Sequence, residues 1–529
     1  MSSAEGPNVE AVAGRLNIPY EQLAEIRATA LRGRVNPLPS ASVVGRVWSV
    51  AAREPGRVAI EGDDLVITYG QLAGWVVALR ARLTKAGVVQ GSRVVVLASR
   101  SAFVPAVFLA LESLGAVYVP LDESSSEERR RLVLDAATPD LVVTDDLGSC
   151  PAGDGPLQKA PRDWPATDVR YCVFTSGTTG QPKGALVEQR GMLNHLAAKV
   201  EDLELGPEDR IAFTAPLGFD ISVWQMLVAF MCGARVIVLG HAVTGFPHLL
   251  ARAVSEHQVT VLEVVPAVAT SLSRAATRRK IDFPALRWLL CTGEELRPQL
   301  AHDLLDTLTG TRLMNAYGPT ECSDDVTHHV VLTTDANATR IPIGRPIRGC
   351  VMYRLVPDQG RWRVPRPGEA AELFVGGICV GPGYLGADET TRRAYFSDLL
   401  DPSSPTGRLY RTGDIVQLDG GVLIYLGRSD RRVKVGGVRV ELGEVETVLQ
   451  AHAAVVEAAA LLDEARGRIV AIVVADAGSE NSIREHCGRW LNPAVVPASI
   501  IRVAALPRTS HGKTDFRRLG AGHIIAETK

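Results

Sequence analysis

The chain has 529 residues, 46% hydrophobic and 22% charged, too long for a single core and ordinary in composition for a globular protein of two or more domains. Lys and Arg number 57 against 59 Asp and Glu, a formal net charge of -2, which excludes a general nucleic-acid binder because that affinity comes from massed basic residues. No apolar run approaches the ~20 residues that cross a bilayer, no secretion signal opens the chain, and the 8 cysteines form no CxxC pair, so a cytoplasmic protein with reduced thiols and no membrane partner is expected.

Residues 1–40 are rich in Ala, Glu and Arg, with helical spacing from Tyr20 to Leu31, and read as a helical N-terminal extension. From Val44 onward β-branched runs alternate with Ala- and Leu-rich stretches. RVVVLA (93–98) precedes a helical segment at 105–115, and DLVVT (140–144), CVFT (172–175) and RVIVL (235–239) are strand-like. That alternation predicts an α/β architecture with sheets covered on both faces. After about residue 340 short strands split by Gly and Pro, as in 371–386, predict a β-rich subdomain. From about 431 a mixed pattern predicts a small α+β domain. The predicted division is an extension over 1–40, a large core over 41–429 and a small C-terminal domain over 430–529.

The most informative stretch is YCVFTSGTTGQPKG, Tyr171 to Gly184. A strand runs into a loop of Thr175, Ser176, Gly177, Thr178 and Thr179, and Lys183 follows. Glycines let backbone N–H groups approach phosphate oxygens, hydroxyls add donors, and lysine supplies countercharge. The spacing is not that of the GxxxxGK[ST] phosphate loop.

This string resembles the signature of the adenylate-forming superfamily, which takes in acyl- and aryl-CoA ligases, luciferases and peptide-synthetase adenylation domains. ITYGQL (67–72), LGAVYVPLD (114–122), FDISVWQ (219–225), NAYGPTE (315–321), YRTGD (410–414), GRSDRRVKVGGVRVELGEVE (427–446) and LPRTSHGKTDF (506–516) match further family motifs in order, over about 45 to 520. NAYGPTE, VYVPLD and the Asp of FDISVWQ look like amino-acid-activating peptide-synthetase domains. The resemblance implies an enzyme that uses ATP and Mg²⁺ to convert an α-amino acid to aminoacyl-AMP and pyrophosphate. It then loads the amino acid on the phosphopantetheine thiol of a carrier protein in nonribosomal peptide or natural-product biosynthesis. The chain ends soon after the last motif, so a carrier acting in trans is expected, and dependence on a small MbtH-like partner is left open. An acyl-CoA ligase using free CoA and a non-catalytic nucleotide-binding protein are the competing readings.

The resemblance also implies roles. Tyr317 presents a flat face for adenine, with Asn315 near the adenine edge, and Thr320 counts among the ATP-binding residues. Asp414 accepts from the ribose hydroxyls and Arg428 reaches ribose and phosphate. Glu321 holds Mg²⁺, for which one carboxylate with phosphates and waters suffices. Lys513 is the catalytic residue, neutralising substrate carboxylate and α-phosphate as they approach. Asp430 is the hinge that makes the small domain mobile. Two departures are His511, where the family commonly has Asn, and Gly436, where it commonly has Arg; the second leaves the thioester-forming step open.

The acyl pocket, carried over position by position, reads Asp220, Ile221, Trp224, Glu263, Leu290, Thr292, Ala316, Asp324, Asp325 and Lys513. Asp220 resembles the carboxylate that holds an α-ammonium. Glu263, Asp324 and Asp325 add three acids, which repel one another in a low-dielectric pocket unless a cation is present. The expectation is a substrate with a basic side chain.

Overall fold

The computed structural model describes residues 15–62, 65–144, 160–175, 182–335, 338–429, 432–475, 480–507 and 514–520. The chain falls into two compact units. One comprises Met1–Ser124, Ala136–Phe174 and Gly184–Ser429; the other comprises Ser125–Asp135, Thr175–Lys183 and Asp430–Lys529.

The elements that frame the site all lie in the first unit. In chain order they are α1 (Gln189–Asp202), α2 (Ile221–Cys232), β1 (Val261–Val264), β2 (Trp288–Cys291), β3 (Arg312–Tyr317), β4 (Thr327–Val331), β5 (Arg408–Asp419) and β6 (Val422–Arg428). β1, β2 and β3 are adjacent parallel strands, with Glu263 level with Leu290 and Leu290 level with Met314. β4 returns antiparallel to β3, pairing Tyr317 with Thr327. They belong to a sheet that shows nine strands among the described residues. In open α/β sheets ligands bind beyond the carboxyl ends of the strands, and here those ends carry Thr292 and the Asn315–Tyr317 segment.

A second, six-stranded sheet holds the strand-like runs of 93–98, 117–122, 141–144 and 169–175. The apolar helix Phe103–Leu114 is buried nearly all round and stops at Gly115, whose φ of +71° no β-carbon favours. The third sheet is antiparallel; β5 pairs with β6, and Asp414 faces Arg428 across them.

Some motifs have plain local causes. In ITYGQL, Thr68 Oγ1 accepts from Gln71 N at 3.2 Å while Gln71 Oε1 accepts from Thr68 N at 2.9 Å, a capping box that starts helix Tyr69–Lys85.

The N-terminal segment differs from the expected extension. Helix Tyr20–Thr29 forms, but Leu31 and Arg32 then pair antiparallel with Met352 and Val351. Leu16 and Ile26 pack with Tyr353, Leu355 and Phe374. These apolar side chains cover the β-rich subdomain, so the described part of 1–40 is built into the first unit.

The second unit contains a hairpin of Arg432–Val435 with Val438–Glu441 and a three-stranded sheet, 455–463, 468–475 and 499–502, packed by helices Leu442–Gln450 and Glu480–Trp490. Gly436 and Gly437 form the hairpin turn at φ +57° and +80°. Two successive positive φ values define a turn that glycine adopts without strain, a local reason for glycine at 436. Among the described residues no helix is long and apolar enough to cross a membrane.

Candidate active site

Two clusters of polar side chains sit at the end of the β1–β2–β3 sheet. The first starts at α2. Asp220 caps its N-terminus, Oδ1 accepting from Ile221 N at 3.0 Å, and Ile221 and Trp224 follow on the first turn. Trp224 is buried. Across from it α1 brings in a residue that motif reading missed. Lys199 is completely buried, with Nζ 2.7 Å from Asp325 Oδ2, 3.1 Å from Glu263 Oε2 and 4.3 Å from the centre of the Trp224 ring. Thr292, just past β2, donates from Oγ1 to Asp325 Oδ1 at 3.3 Å. Leu290 and Ala316 are buried apolar members of the same strand ends.

His195 stands one turn before Lys199 on α1. Its Nε2 lies 3.8 Å from Asp325 Oδ2 and its Nδ1 lies 4.0 Å from Asp324 Oδ2. His328 on β4 places Nδ1 2.8 Å from Asp202 and Nε2 3.7 Å from Asp325.

The charges follow from these distances. Burial disfavours the Lys199 ammonium, yet Asp325 and Glu263 outweigh it and raise its pKa. Burial would also neutralise Asp325, but Lys199 and the two histidines hold it well below the usual carboxylate range. Glu263, at the longer contact, is pushed up to about 7 by burial against the pull of Lys199. The shorter contact marks Asp325 as the lysine's principal partner. Burial pushes His195 down to about 4, so it is neutral near pH 7.

Asp324 has no such partner. Burial, then Asp220, Asp325 and Glu263, raise its pKa well above the usual range, and Oδ2 makes no hydrogen bond among the described residues. It is held at φ +84° after Ser323 at +65°, an uncommon backbone for side-chain-bearing residues. Packing imposes that bend: Ser323 Oγ donates to Cys379 O at 2.8 Å, and Gly318 lies against the backbone of Asp324 and Asp325.

The second cluster is built around Asp414. Tyr317 at the end of β3 donates its hydroxyl to Asp414 Oδ2, and Arg428 at the end of β6 donates to Asp414 Oδ1. Arg428 also donates to Thr412 O at 2.7 Å, and Thr412 Oγ1 accepts from Asp414 N at 2.9 Å. The Tyr317 ring lies 6.4 Å from that of Tyr425. Asn315 Nδ2 donates to Pro342 O at 2.8 Å. Thr320 opens a short 3-10 turn that carries Glu321, whose buried carboxylate accepts from the Tyr384 hydroxyl. A single oriented carboxylate fits a Mg²⁺ whose other positions are filled by phosphates and waters.

In the second unit Thr175 Oγ1 lies 3.4 Å from Lys183 O, and Lys183 Nζ meets Glu441 Oε1 at 2.9 Å. Lys183, the residue expected to contact phosphate, is thus ion-paired with Glu441 in this structure. Ser176, Gly177, Thr178, Thr179, Asp430 and Lys513 lie outside the described residues.

One expectation from sequence is corrected. The three acids beside Asp220 do not share one condition, because Lys199 already supplies a cation to Glu263 and Asp325. A signal existed: Met192, His195, Leu196 and Lys199 share one helical face, and a lysine on a buried face needs a buried acid.

The model of AMP-binding enzymes matches residues 47–385, and that of the AMP-binding enzyme C-terminal domain matches 444–513. The chain belongs to the AMP-binding enzyme family. It is 33% identical to the L-proline--[L-prolyl-carrier protein] ligase of Streptomyces coelicolor, over 90% of this chain and 96% of that protein. It is 31% identical to enterobactin synthase component F of Shigella flexneri over 96% of this chain, and spans 41% of that protein's length. Among solved structures it is similar to the Vibrio cholerae adenylation domain AlmE in complex with glycyl-adenosine-5'-phosphate, at 25% identity and a TM-score of 0.77, covering 93% of this chain and 99% of that one. It is also similar to IdnL1, at 27% identity and a TM-score of 0.74, covering 89% and 99%. Its fold is that of the adenylation domains among these relatives.

Proposed function

We propose that this enzyme activates an α-amino acid as its aminoacyl-AMP and transfers it to the phosphopantetheine thiol of a carrier protein. The observation that carries the reading is the pairing of two clusters at one sheet end. One is an acidic pocket headed by Asp220; the other is a hydroxyl–carboxylate–guanidinium group, Tyr317–Asp414–Arg428, suited to a nucleoside.

In this reading Asp220 holds the α-ammonium, so the carboxylate points toward the α-phosphate. Tyr317 stacks with adenine, Asp414 accepts from the ribose hydroxyls and Arg428 reaches the phosphate side. Glu321 would hold Mg²⁺, which spreads phosphate charge when bound. The carboxylate attacks phosphorus and pyrophosphate leaves, so no nucleophilic side chain is needed and the work is positioning and charge neutralisation. Lys513 supplies that charge at the carboxylate, and Asp430 is the pivot for the thioester-forming step. The relative named as an L-prolyl-carrier protein ligase supports the partner assignment.

For the side chain, Asp324 is the buried acid beside Asp220 that Lys199 does not hold. A substrate ammonium beside it would favour its ionised form, and the lysine limits how far the side chain extends. The substrate class proposed is a short diamino acid. The test is ATP–pyrophosphate exchange over a panel of diaminopropionate, diaminobutyrate, ornithine, lysine, serine, asparagine, proline and phenylalanine, with and without free CoA. Preference for a neutral amino acid removes the diamino assignment and leaves adenylation standing. Exchange with no amino acid, or consumption of CoA, removes the whole reading.

A further inference from the structure

Lys199 has no part in the chemistry just described, yet it sits inside the pocket that chemistry uses. A lysine on the Met192–Leu196 face of α1 costs desolvation that a leucine or methionine would not. Here the ammonium is held by Asp325, Glu263 and the face of Trp224, three of the positions carried over as acyl-pocket residues. Around it, Glu263 Oε1, Asp324 Oδ2, Trp224 Nε1 and His195 Nε2 are buried without a hydrogen-bond partner among the described residues. Buried polar atoms are ordinarily satisfied, so this many around one lysine marks a polar ligand's place. The indole offers a donor and the acids offer acceptors.

We infer that Lys199 is a specificity-determining residue of the acyl pocket, occupying the place that the terminal ammonium of a long basic amino acid would take. The inference rests on the amino-acid reading above. Glu263 and Asp325 would attract a distal ammonium; with Lys199 between them that position repels a second cation. Lysine and arginine are excluded by like charge as well as by length, a repulsive element of specificity. What remains for the substrate is Asp324, close to Asp220, together with the unpaired edge of Glu263.

Two substitutions then move selectivity in opposite directions. Lys199→Ala removes the cation and its stem, so the ratio of kcat/KM for lysine or ornithine to that for the best wild-type substrate rises by about tenfold or more. Glu263→Gln leaves Lys199 with one acid fewer, so the ratio for glutamine or glutamate rises by a similar factor of about ten. Pyrophosphate exchange on the full chain measures both, and melting temperatures show which variants are folded. If Lys199→Ala is unfolded, the Glu263→Gln arm decides. A folded variant that loses activity with the wild-type ranking unchanged overturns the inference and leaves Lys199 a structural counter-ion. A wild type silent with every amino acid overturns the functional reading, and this inference with it.

Discussion

Asp414 is where the nucleotide assignment can be tested with a single atom. Its buried carboxylate receives the Tyr317 hydroxyl on one oxygen and Arg428 on the other, while its own N–H is taken by Thr412. Asp414→Asn keeps the shape, removes the charge and turns an N–H₂ toward one of two donors. Breaking a buried ion pair outright costs about 3–5 kcal/mol. Here Arg428 retains Thr412 O at 2.7 Å and the amide keeps one acceptor, so part of that is spared. A lost hydrogen bond to a charged group, about 1.5–3 kcal/mol, is the better measure. If Asp414 also holds the ribose, the same loss is felt by ATP and weakens its binding by roughly 10- to 150-fold.

The two effects separate experimentally. Loss of the Tyr317–Asp414–Arg428 bonds lowers the melting temperature without nucleotide. Loss of the ribose contact raises KM for ATP, measured by pyrophosphate exchange at saturating amino acid, and abolishes the stabilisation that ATP confers. A variant that melts lower but keeps KM for ATP within about threefold of wild type would show Asp414 to be only the counter-ion of Arg428.

Lys513→Ala is expected to slow adenylate formation by about 10²-fold or more with ATP binding retained; wild-type rates in single-turnover assays would refute the role. His195 is neutral in the fold, with its pKa lowered from 6.5 to about 4. The unfolded chain therefore binds this proton first, and the stability it contributes is present above pH 6.5 and lost as pH falls toward 4, by on the order of 3 kcal/mol. Melting curves of His195→Gln should be flatter than wild type across that window, and a parallel pair of curves would contradict it. A β-carbon at Gly318 would lie 1.9 Å from Asp324 O and 2.5 Å from Asp325 Cα. Because backbone cannot rotate away, Gly318→Ala should displace both acids and cut amino-acid-dependent exchange by about tenfold or more; unchanged exchange would mean that the 318–325 loop does not shape the pocket.

The alternating runs of the first 340 residues and the broken strands after them were legible because sheet burial writes a local pattern. The strands at 93–98 and 235–238 begin where the sequence places them. The N-terminal segment was not legible, since pairing of Leu31 with Met352 depends on residues more than three hundred positions away. Tyr317, Asp414 and Arg428 could be named from their motifs, but only the fold shows them as one bonded group. The left-handed backbone at Ser323 and Asp324 leaves no mark in residue type, because glycine would be the ordinary signal and neither residue is glycine.

The sign of the pocket is the property that sequence could not supply. Four acids at carried-over positions suggest a cation-seeking site, and that count is correct as far as it goes. Charge energies scale inversely with distance and with local dielectric, so a lysine 2.7 Å from one buried acid and 3.1 Å from another alters both more than any residue at fixed sequence spacing can. Lys199 lies 64 positions before Glu263 and 126 before Asp325. No periodicity links them; the fold brings together Lys199 on α1, Glu263 on β1 and Asp325 in the segment between β3 and β4. The acids consequently divide into an Asp325 shifted toward its carboxylate, a Glu263 pushed up to about 7 and an Asp324 shifted toward its neutral form. In the proposed reading a substrate ammonium would meet the last of these first. That ordering makes chain length, rather than charge alone, the quantity by which the pocket would choose among basic amino acids.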